Sequence, residues 1–277
     1  MKKVLVPRTW KRRSASVARF MRHPATSAAG AAAYAGAPIP TGPAFPVVPA
    51  GSEVVWVYAV TAAVDPALLS DLRGVAGEPL RMVTEAGLSA VVGSISDTAW
   101  ADKSLSSLLA DLTTIEAAGR AHHHVIASVA AYGPVLPLRL ATVYADDETI
   151  AALLAERHSE LTIMLESFRG TQEWDVKVYV EPWDENLFWS GRDDPVEACA
   201  EEIGHALSGI AVATRRRPSS RPRIGDKAGW MVLNSAYLLD SEHASRFSEI
   251  VTAITSAHSA LRADISGPWP PYSFADR

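Results

Sequence analysis

Hydrophobic and polar residues follow two different periods along the chain, and the order of these periods predicts an α+β protein. A first group of elements falls between residues 53 and 140. It comprises a strand from Glu53 to Val60, a short helix from Asp65 to Arg73, strands at 79–84 and 88–96, a helix at 104–131 and a strand at 135–140. Since this order is βαββαβ, we expect an N-terminal ferredoxin-like domain over residues 53–145.

The second half of the chain, residues 146–277, mixes helical and strand patterns as well, and we expect a second α+β domain there. Acidic residues at 146–148 favour a helix start, because the N-terminus of a helix carries a partial positive charge. The further elements predicted are a helix continuing to about Gly170, a strand at 173–180, a helix at 195–214, a strand at 230–239, a helix at 241–261 and a candidate strand at 264–266.

Two proline-framed segments stand out from this pattern. In the segment 133–144, Pro134 and Pro137 flank apolar residues, which suits a strand start or a sheet edge because proline cannot donate to a ladder. In the segment 267–274, three prolines alternate with aromatic residues and form a stiff apolar tail. Such a tail must dock either on its own protein or on a partner.

These segments carry a resemblance to a known family. Together with the Tyr58-bearing first strand and the histidines at 122–124, the patterns P-V-L-P-x-R-x-x-T-V and G-P-W-P-P-Y-S-F resemble the GvpL/GvpF family of gas vesicle proteins over residues 53–277. One departure is Ala141, a position where the family often has glycine.

The resemblance implies a two-domain protein of the gas vesicle that is needed to form gas vesicles. It implies an assembly factor or minor structural component that binds the hydrophobic shell protein and other accessory gas vesicle proteins. The single cysteine and the lack of a long apolar run favour a cytoplasmic location. As partner-binding residues we nominate Pro134, Leu136, Pro137, Arg139, Trp269, Pro270, Pro271 and Tyr272. The alternative for the tail is self-docking over the core of the second domain.

Charge is divided unevenly along the chain. Residues 1–52 hold eight basic residues and no acidic one, and their Ala/Gly/Pro-rich composition predicts a disordered extension. The alternative is a basic arm that contacts anionic surfaces, including the acidic body of another copy of the chain. The remainder holds 18 basic against 31 acidic residues, a net charge of −13. A nucleic-acid partner is therefore not expected. No window contains about 18 consecutive apolar residues, so we expect no membrane partner either.

Candidate catalytic and metal-binding residues have simpler structural interpretations. Consecutive His122, His123 and His124 point in different directions on a helix and cannot chelate one ion together. We expect His122 to be a partly buried hydrogen-bonding residue and His123 to be solvated. Cys199 is the only cysteine and occupies an apolar helix position. We therefore predict no catalytic residue, no metal and no cofactor, and hence a non-enzyme.

Two basic features leave alternatives open. Arg139 either forms a structural ion pair, with Glu116 or Asp146 as candidates, or contacts a partner carboxylate. The run 215–223, with five arginines, is interpreted as an exposed loop or as an electrostatic contact with an acidic partner. A rival function for the whole chain is a small-molecule-binding ferredoxin-like enzyme or sensor, because such domains often enclose an apolar pocket.

Overall fold

The structure is a computed structural model that describes residues 53–62, 64–96, 112–180, 195–218, 230–257 and 261–275. The predicted extension 1–52, the first turns of the helix predicted at 104–131 and the acidic pair Asp193 and Asp194 lie outside the described residues. The chain has mixed α+β architecture with two antiparallel sheets, which confirms the predicted class.

The strands are β1 (Glu53–Ala62), β2 (Leu80–Glu85), β3 (Leu88–Ser96), β4 (Val135–Pro137), β5 (Val143–Tyr144), β6 (Thr171–Val180), β7 (Ala213–Arg216), β8 (Trp230–Asp240) and β9 (Leu261–Trp269). The helices are α1 (Leu112–Ala130), α2 (Asp147–Glu156), α3 (His158–Ser167), α4 (Pro195–Ser208), α5 (Ala244–Ala257) and α6 (Tyr272–Ala275), with 3-10 helices at Pro66–Leu69 and Ser241–His243.

Contacts divide the described chain into two compact units. Unit A holds residues 53–172 together with 269–275, and unit B holds the described residues from Glu173 to Pro268. We expected a boundary at residues 145/146 and a tail belonging to the second half. The difference has a physical cause, because α2 and α3 contact strands β1 to β5 and bury Ile150, Leu154 and Leu161 within unit A.

Unit A is built on the sheet order β2-β3-β1-β4, with β5 pairing beyond β4 on the same strand β1. All of these pairings are antiparallel. β4 lies at the end of this order, which confirms the edge position predicted from its prolines. The central strand β1 is buried on both faces: Val55–Val60 are all buried.

One face of this sheet packs against α1. Trp56, Tyr58 and Val91 form a core cluster with Val125 and Ile126 of that helix. The buried side chains of α2 and α3 lie outside this cluster although both helices contact the same sheet, so they cover its other face.

Unit B has a sheet in the order β7-β8-β6-β9. When the strands of each unit are counted along the chain, both sheets therefore have the same spatial order: second, third, first, fourth. A single core cluster joins β6 and β8 to α4 and α5, with Val178, Ile203, Tyr237 and Phe247 fully buried. These strands and helices follow the alternation and helical spacing of their apolar residues.

Several local signals are confirmed. Asp65 caps the helix that begins at Pro66, and Asp146 caps α2 by accepting from the Thr149 amide at 2.7 Å. Ala86 and Gly87 both have positive φ and form the two-residue hairpin loop between β2 and β3. These residues end or begin elements at the places where the sequence indicated a boundary.

Other boundaries differ from the prediction. The helix expected from 146 to about 170 is two helices, because the backbone at Arg157 leaves the helical region with φ −101° and ψ 15°. The helix expected at 195–214 ends at Ser208, and the chain then forms β7, which pairs with β8. The helix expected from Asp65 to Arg73 is a 3-10 helix of four residues.

Candidate functional site

The two proline-framed segments meet in unit A, although more than a hundred residues of sequence separate them. Helix α6 of the tail contacts β4. β4 in turn pairs with β1 through Pro137 opposite Ala59 and Leu136 opposite Val60. The structure therefore brings the nominated residues of both segments to one edge of the first sheet.

Burial divides the eight nominated residues into three groups. Leu136, Pro137, Pro270 and Pro271 are buried within the chain, while Pro134 and Tyr272 are half-buried. Arg139 is exposed, and Trp269 is 37% exposed. The partner contact of these residues stays a prediction, and in the described conformation Arg139 and Trp269 offer the most surface for it.

The tail docks on α1 through His123. The His123 Nδ1 and the Tyr272 hydroxyl form a hydrogen bond of 2.7 Å. The indole of Trp269 meets the imidazole edge-to-face, with 5.3 Å between ring centroids. The expectation that His123 is solvated is therefore wrong, because the chain end returns to cover it. Self-docking of the tail takes place on unit A and not over the core of the second half.

His122, in contrast, is buried as expected and has both ring nitrogens bonded. The indole N–H of Trp56 donates to Nδ1 at 3.1 Å, so the proton of the neutral ring lies on Nε2, which donates to the Leu138 carbonyl at 3.0 Å. Burial lowers the pKa of His122, and the neighbouring His123 adds a smaller effect in the same direction. This histidine links α1 to β1 and to the segment that follows β4.

The segment between β4 and β5 is a short turn that carries Arg139. The Leu138 amide donates to the Tyr58 carbonyl and the Val57 amide donates to the Thr142 carbonyl, both at 2.9 Å. The Thr142 hydroxyl closes the turn by donating to the Arg139 carbonyl at 2.8 Å. The backbone of Arg139 is thus fixed at both ends to β1, opposite the register shift at Val57/Ala59.

Both interpretations of Arg139, the structural ion pair and the partner contact, stay predictions. The two acids considered as its ion-pair partners also contact other residues. Glu116 lies 3.7 Å from Arg120 on the exposed face of α1. Asp146 caps α2, and hydrogen bonds from Thr149 lower the pKa of this carboxyl.

A buried polar cluster was missed by the sequence analysis. The fully buried Tyr58 hydroxyl donates to the Glu78 carboxylate at 2.5 Å and accepts from the Val75 amide at 2.9 Å. The other carboxylate oxygen accepts from the Ala76 amide at 2.8 Å. Burial, followed by the hydrogen bond to Glu78, raises the pKa of Tyr58.

Two glycines make room for that carboxylate. A Cβ placed on Gly74 would lie 1.8 Å from Glu78 Oε1, and one on Gly93 would lie 2.6 Å from it. Gly74 and Gly93 therefore serve internal packing around the buried Glu78 side chain.

The arginine run of unit B is only partly a loop. Arg215 and Arg216 belong to β7, and residues 219–229 lie outside the described part. Arg217 lies 2.9 Å from Asp175 and 3.2 Å from Glu173, whose side chain is 2% exposed. The run therefore begins with a strand and an ion pair that supports β6.

A second close approach explains the glycine of the tail motif. Gly267 has φ +143°, and a Cβ there would lie 2.9 Å from the Glu173 carbonyl oxygen and 3.0 Å from the Trp174 ring. Only glycine allows this backbone to pass so close to β6.

Among the described residues we searched for cavities and for groups of metal-binding side chains. A cavity of about 180 Å³ in unit A is lined by Pro134, His158, Thr162, Glu166 and Arg169, among others. Within the described ranges, no group of three His, Cys, Asp or Glu side chains is placed to hold a metal ion. None of the helices described there is long and apolar enough to cross a membrane.

The fold defines a class: a two-sheet α+β protein similar to solved gas vesicle proteins. The crystal structure of GvpF from Anabaena sp. PCC7120 superposes with a TM-score of 0.58 at 20% identity, covering 81% of this chain and 96% of that one. The crystal structure of GvpF from Microcystis aeruginosa superposes with a TM-score of 0.58 at 19% identity, covering 80% of this chain and 98% of that one.

Sequence comparison identifies the family. The model for gas vesicle synthesis protein GvpL/GvpF matches residues 54–194 and 185–276. Gas vesicle protein L of Streptomyces sp. (strain CB03234) is 34% identical over 247 residues, 79% of this chain and 92% of the relative. Gas vesicle protein F of the same organism is 24% identical over 249 residues, 80% and 99% of the two chains. This chain belongs to the GvpL/GvpF family of gas vesicle proteins.

Proposed function

We propose that this protein is a gas vesicle assembly factor or minor structural component that acts by binding and not by catalysis. Its partners are the hydrophobic shell protein and other accessory gas vesicle proteins, in the cytoplasm and at the vesicle. Family membership supports the gas vesicle role. The observation that carries the binding role is the meeting of the two proline-framed segments at one sheet edge of unit A.

The physical argument starts from the needs of the partner. A hydrophobic shell subunit exposes apolar surface before it polymerises, and a soluble protein that covers this surface prevents premature association. Trp269 offers a half-exposed indole whose position is fixed against His123. Arg139 offers a cationic fork on a turn whose backbone is bonded to β1. Aromatic and arginine side chains on rigid supports are the residues that dominate binding energy in interfaces.

We also infer that each unit is a ferredoxin-like domain. In both units the strand order is second, third, first, fourth, which supports the βαββαβ expectation. In unit A the first helix is reduced to the 3-10 helix Pro66–Leu69. The rival function of a small-molecule enzyme or sensor needs a pocket. The cavity beside Pro134 in the described part of unit A, at about 180 Å³, is smaller than pockets for drug-sized ligands, which start near 300 Å³, so this particular cavity does not support the rival function.

A retention experiment tests the proposed function. The full chain is immobilised and incubated with the purified shell protein and, separately, with each accessory gas vesicle protein. We expect retention by the wild type and a loss of at least tenfold in affinity for Trp269→Ala combined with Arg139→Ala, since hot-spot residues contribute about 2 kcal/mol each.

The matched control is Arg120→Ala, which removes an exposed arginine of unit A beside Glu116 and is expected to bind like the wild type. Equal retention by the double variant would exclude these two residues as the binding surface. If the wild type retains none of the gas vesicle proteins while a metabolite raises its melting temperature, the sensor alternative replaces the binding function.

A further inference from the structure

The docked tail is a self-contained binding element. We call residues Trp269–Ala275 the C-terminal segment, and we call His123 together with β4 the tail-binding surface. The segment belongs to unit A, yet along the chain it is separated from the rest of unit A by all of unit B. It is joined to the preceding unit at the end of β9, whose last residue is Trp269.

The contacts inside this element are both apolar and polar. Phe274 and Ala275 are buried, at 5% and 4% exposure, and Tyr272 packs against the core cluster of unit A. The Tyr272 hydroxyl adds the hydrogen bond to His123. Undocking would therefore expose apolar side chains on both the C-terminal segment and the tail-binding surface, which is unfavourable in water.

The segment is also preorganised. Pro270 and Pro271 restrict its backbone before docking, so less conformational entropy is lost when it binds. Short proline-aromatic segments docked beside aromatic rings are a recurring mode of peptide recognition. An identical chain supplies the same segment and the same surface, which is the requirement for exchange of an element between protomers.

We propose that the tail-binding surface is an exchangeable binding site, and that a second copy of this chain can supply the C-terminal segment in trans. In dilute solution the segment of the same chain prevails, because a tethered segment has an effective concentration of about millimolar. Exchange between copies becomes favourable where chains are crowded, as in a growing assembly. The proposal is independent of which gas vesicle protein the chain binds.

Two full-length variants test exchange with weakened competition from the tethered segment. The tail variant carries Trp269→Ala and Tyr272→Ala and keeps an intact surface. The surface variant carries His123→Ala and keeps an intact segment. Each alone is expected to sediment as a monomer, and an equimolar mixture is expected to contain a heterodimer with twice the mass of one chain.

The matched control replaces the surface variant by His124→Ala, which changes the exposed neighbouring histidine of the same helix. Its own segment stays docked, so mixing it with the tail variant should give at least tenfold less heterodimer. A mixture of tail and surface variants that stays monomeric up to about 1 mM, the effective concentration of a short tether, would overturn the proposal.

Thermal melting followed by circular dichroism checks that each variant is folded. If the tail variant does not fold, Tyr272→Phe replaces it, because this change removes only the hydroxyl that bonds to His123. The heterodimer with the surface variant should then be weaker and still exceed the amount formed with His124→Ala. Equal amounts in the two mixtures would contradict exchange at this surface.

Discussion

Ala141 holds a backbone conformation that its side chain disfavours. Its φ is +66°, in the left-handed region where the Cβ of an L-residue approaches the following carbonyl oxygen and costs about 1–2 kcal/mol. The turn requires this conformation, because the backbone groups of Leu138 and Thr142 on either side of Ala141 are bonded to β1. The departure from glycine noted in the sequence therefore falls on a position where glycine is the favoured residue.

We expect Ala141→Gly to stabilise the protein by about 0.5–1 kcal/mol. Glycine removes the strain of the left-handed conformation, and its larger unfolded-state entropy cancels only part of this gain. Urea unfolding of the two proteins measures the difference. The control is Ala152→Gly at an exposed interior position of α2, where the same exchange should destabilise by about 1 kcal/mol. Destabilisation by both substitutions would contradict the strain argument.

At the scale of elements, His122 joins α1 to β1 and to the turn after β4. Its bond from Trp56 needs an unprotonated Nδ1, so the folded protein holds the neutral ring. Because burial lowers the pKa below the ordinary value of about 6.5, the unfolded chain binds this proton more readily than the folded one. The contribution of the neutral His122 to the free energy of unfolding is therefore fully present above about pH 6.5. It decreases as the pH falls from about 6.5 to the folded-state pKa.

This linkage predicts a measurable slope. Between about pH 6.5 and the folded-state pKa, the free energy of unfolding should decrease by up to about 1.4 kcal/mol per pH unit more in the wild type than in His122→Gln. Urea unfolding at several pH values measures it. His124→Gln, at an exposed position of the same helix, should retain the wild-type slope. A slope unchanged in His122→Gln would show that this histidine is not the titrating group.

Elements with strong local signals were predictable from the sequence. The hairpin at Gly87 and the edge position of β4 follow from glycine and proline, whose backbone limits act within a few residues. β7 was missed, because its arginines resemble a solvated loop and it forms a strand only by pairing with β8. The ion pair of Arg217 with Glu173 likewise depends on residues 44 positions apart.

The same division by distance applies to the candidate site. The burial of His122 followed from its place in an apolar helix pattern. The contact of His123 with Tyr272 spans 149 positions and has no local signal, so its exposure was predicted wrongly. The Tyr58–Glu78 bond was missed for the same reason, since an acidic residue in a polar turn gives no sign of burial beneath a distant strand.

At the scale of the whole molecule, the chain starts its described part in unit A, builds unit B and returns to unit A at Trp269. Unit A is therefore incomplete until residues 269–275 have been made. The returning residues bury Phe274 and add one hydrogen bond, which together correspond to about 3–4 kcal/mol. This contribution should act on unit A, because the segment docks on α1 and β4.

Ending the chain at Pro268 should therefore weaken unit A selectively. Amide hydrogen exchange is expected to accelerate by at least tenfold in α1 and β4, since local opening there becomes less costly, while β6 and β8 keep their protection. Mass spectrometry of peptides from the exchanged protein gives both regions in one experiment. A chain ending at Ala275 is the control, because it keeps the whole docked segment. Equal acceleration in both units, or none in α1, would contradict the conclusion that the tail is a structural part of unit A.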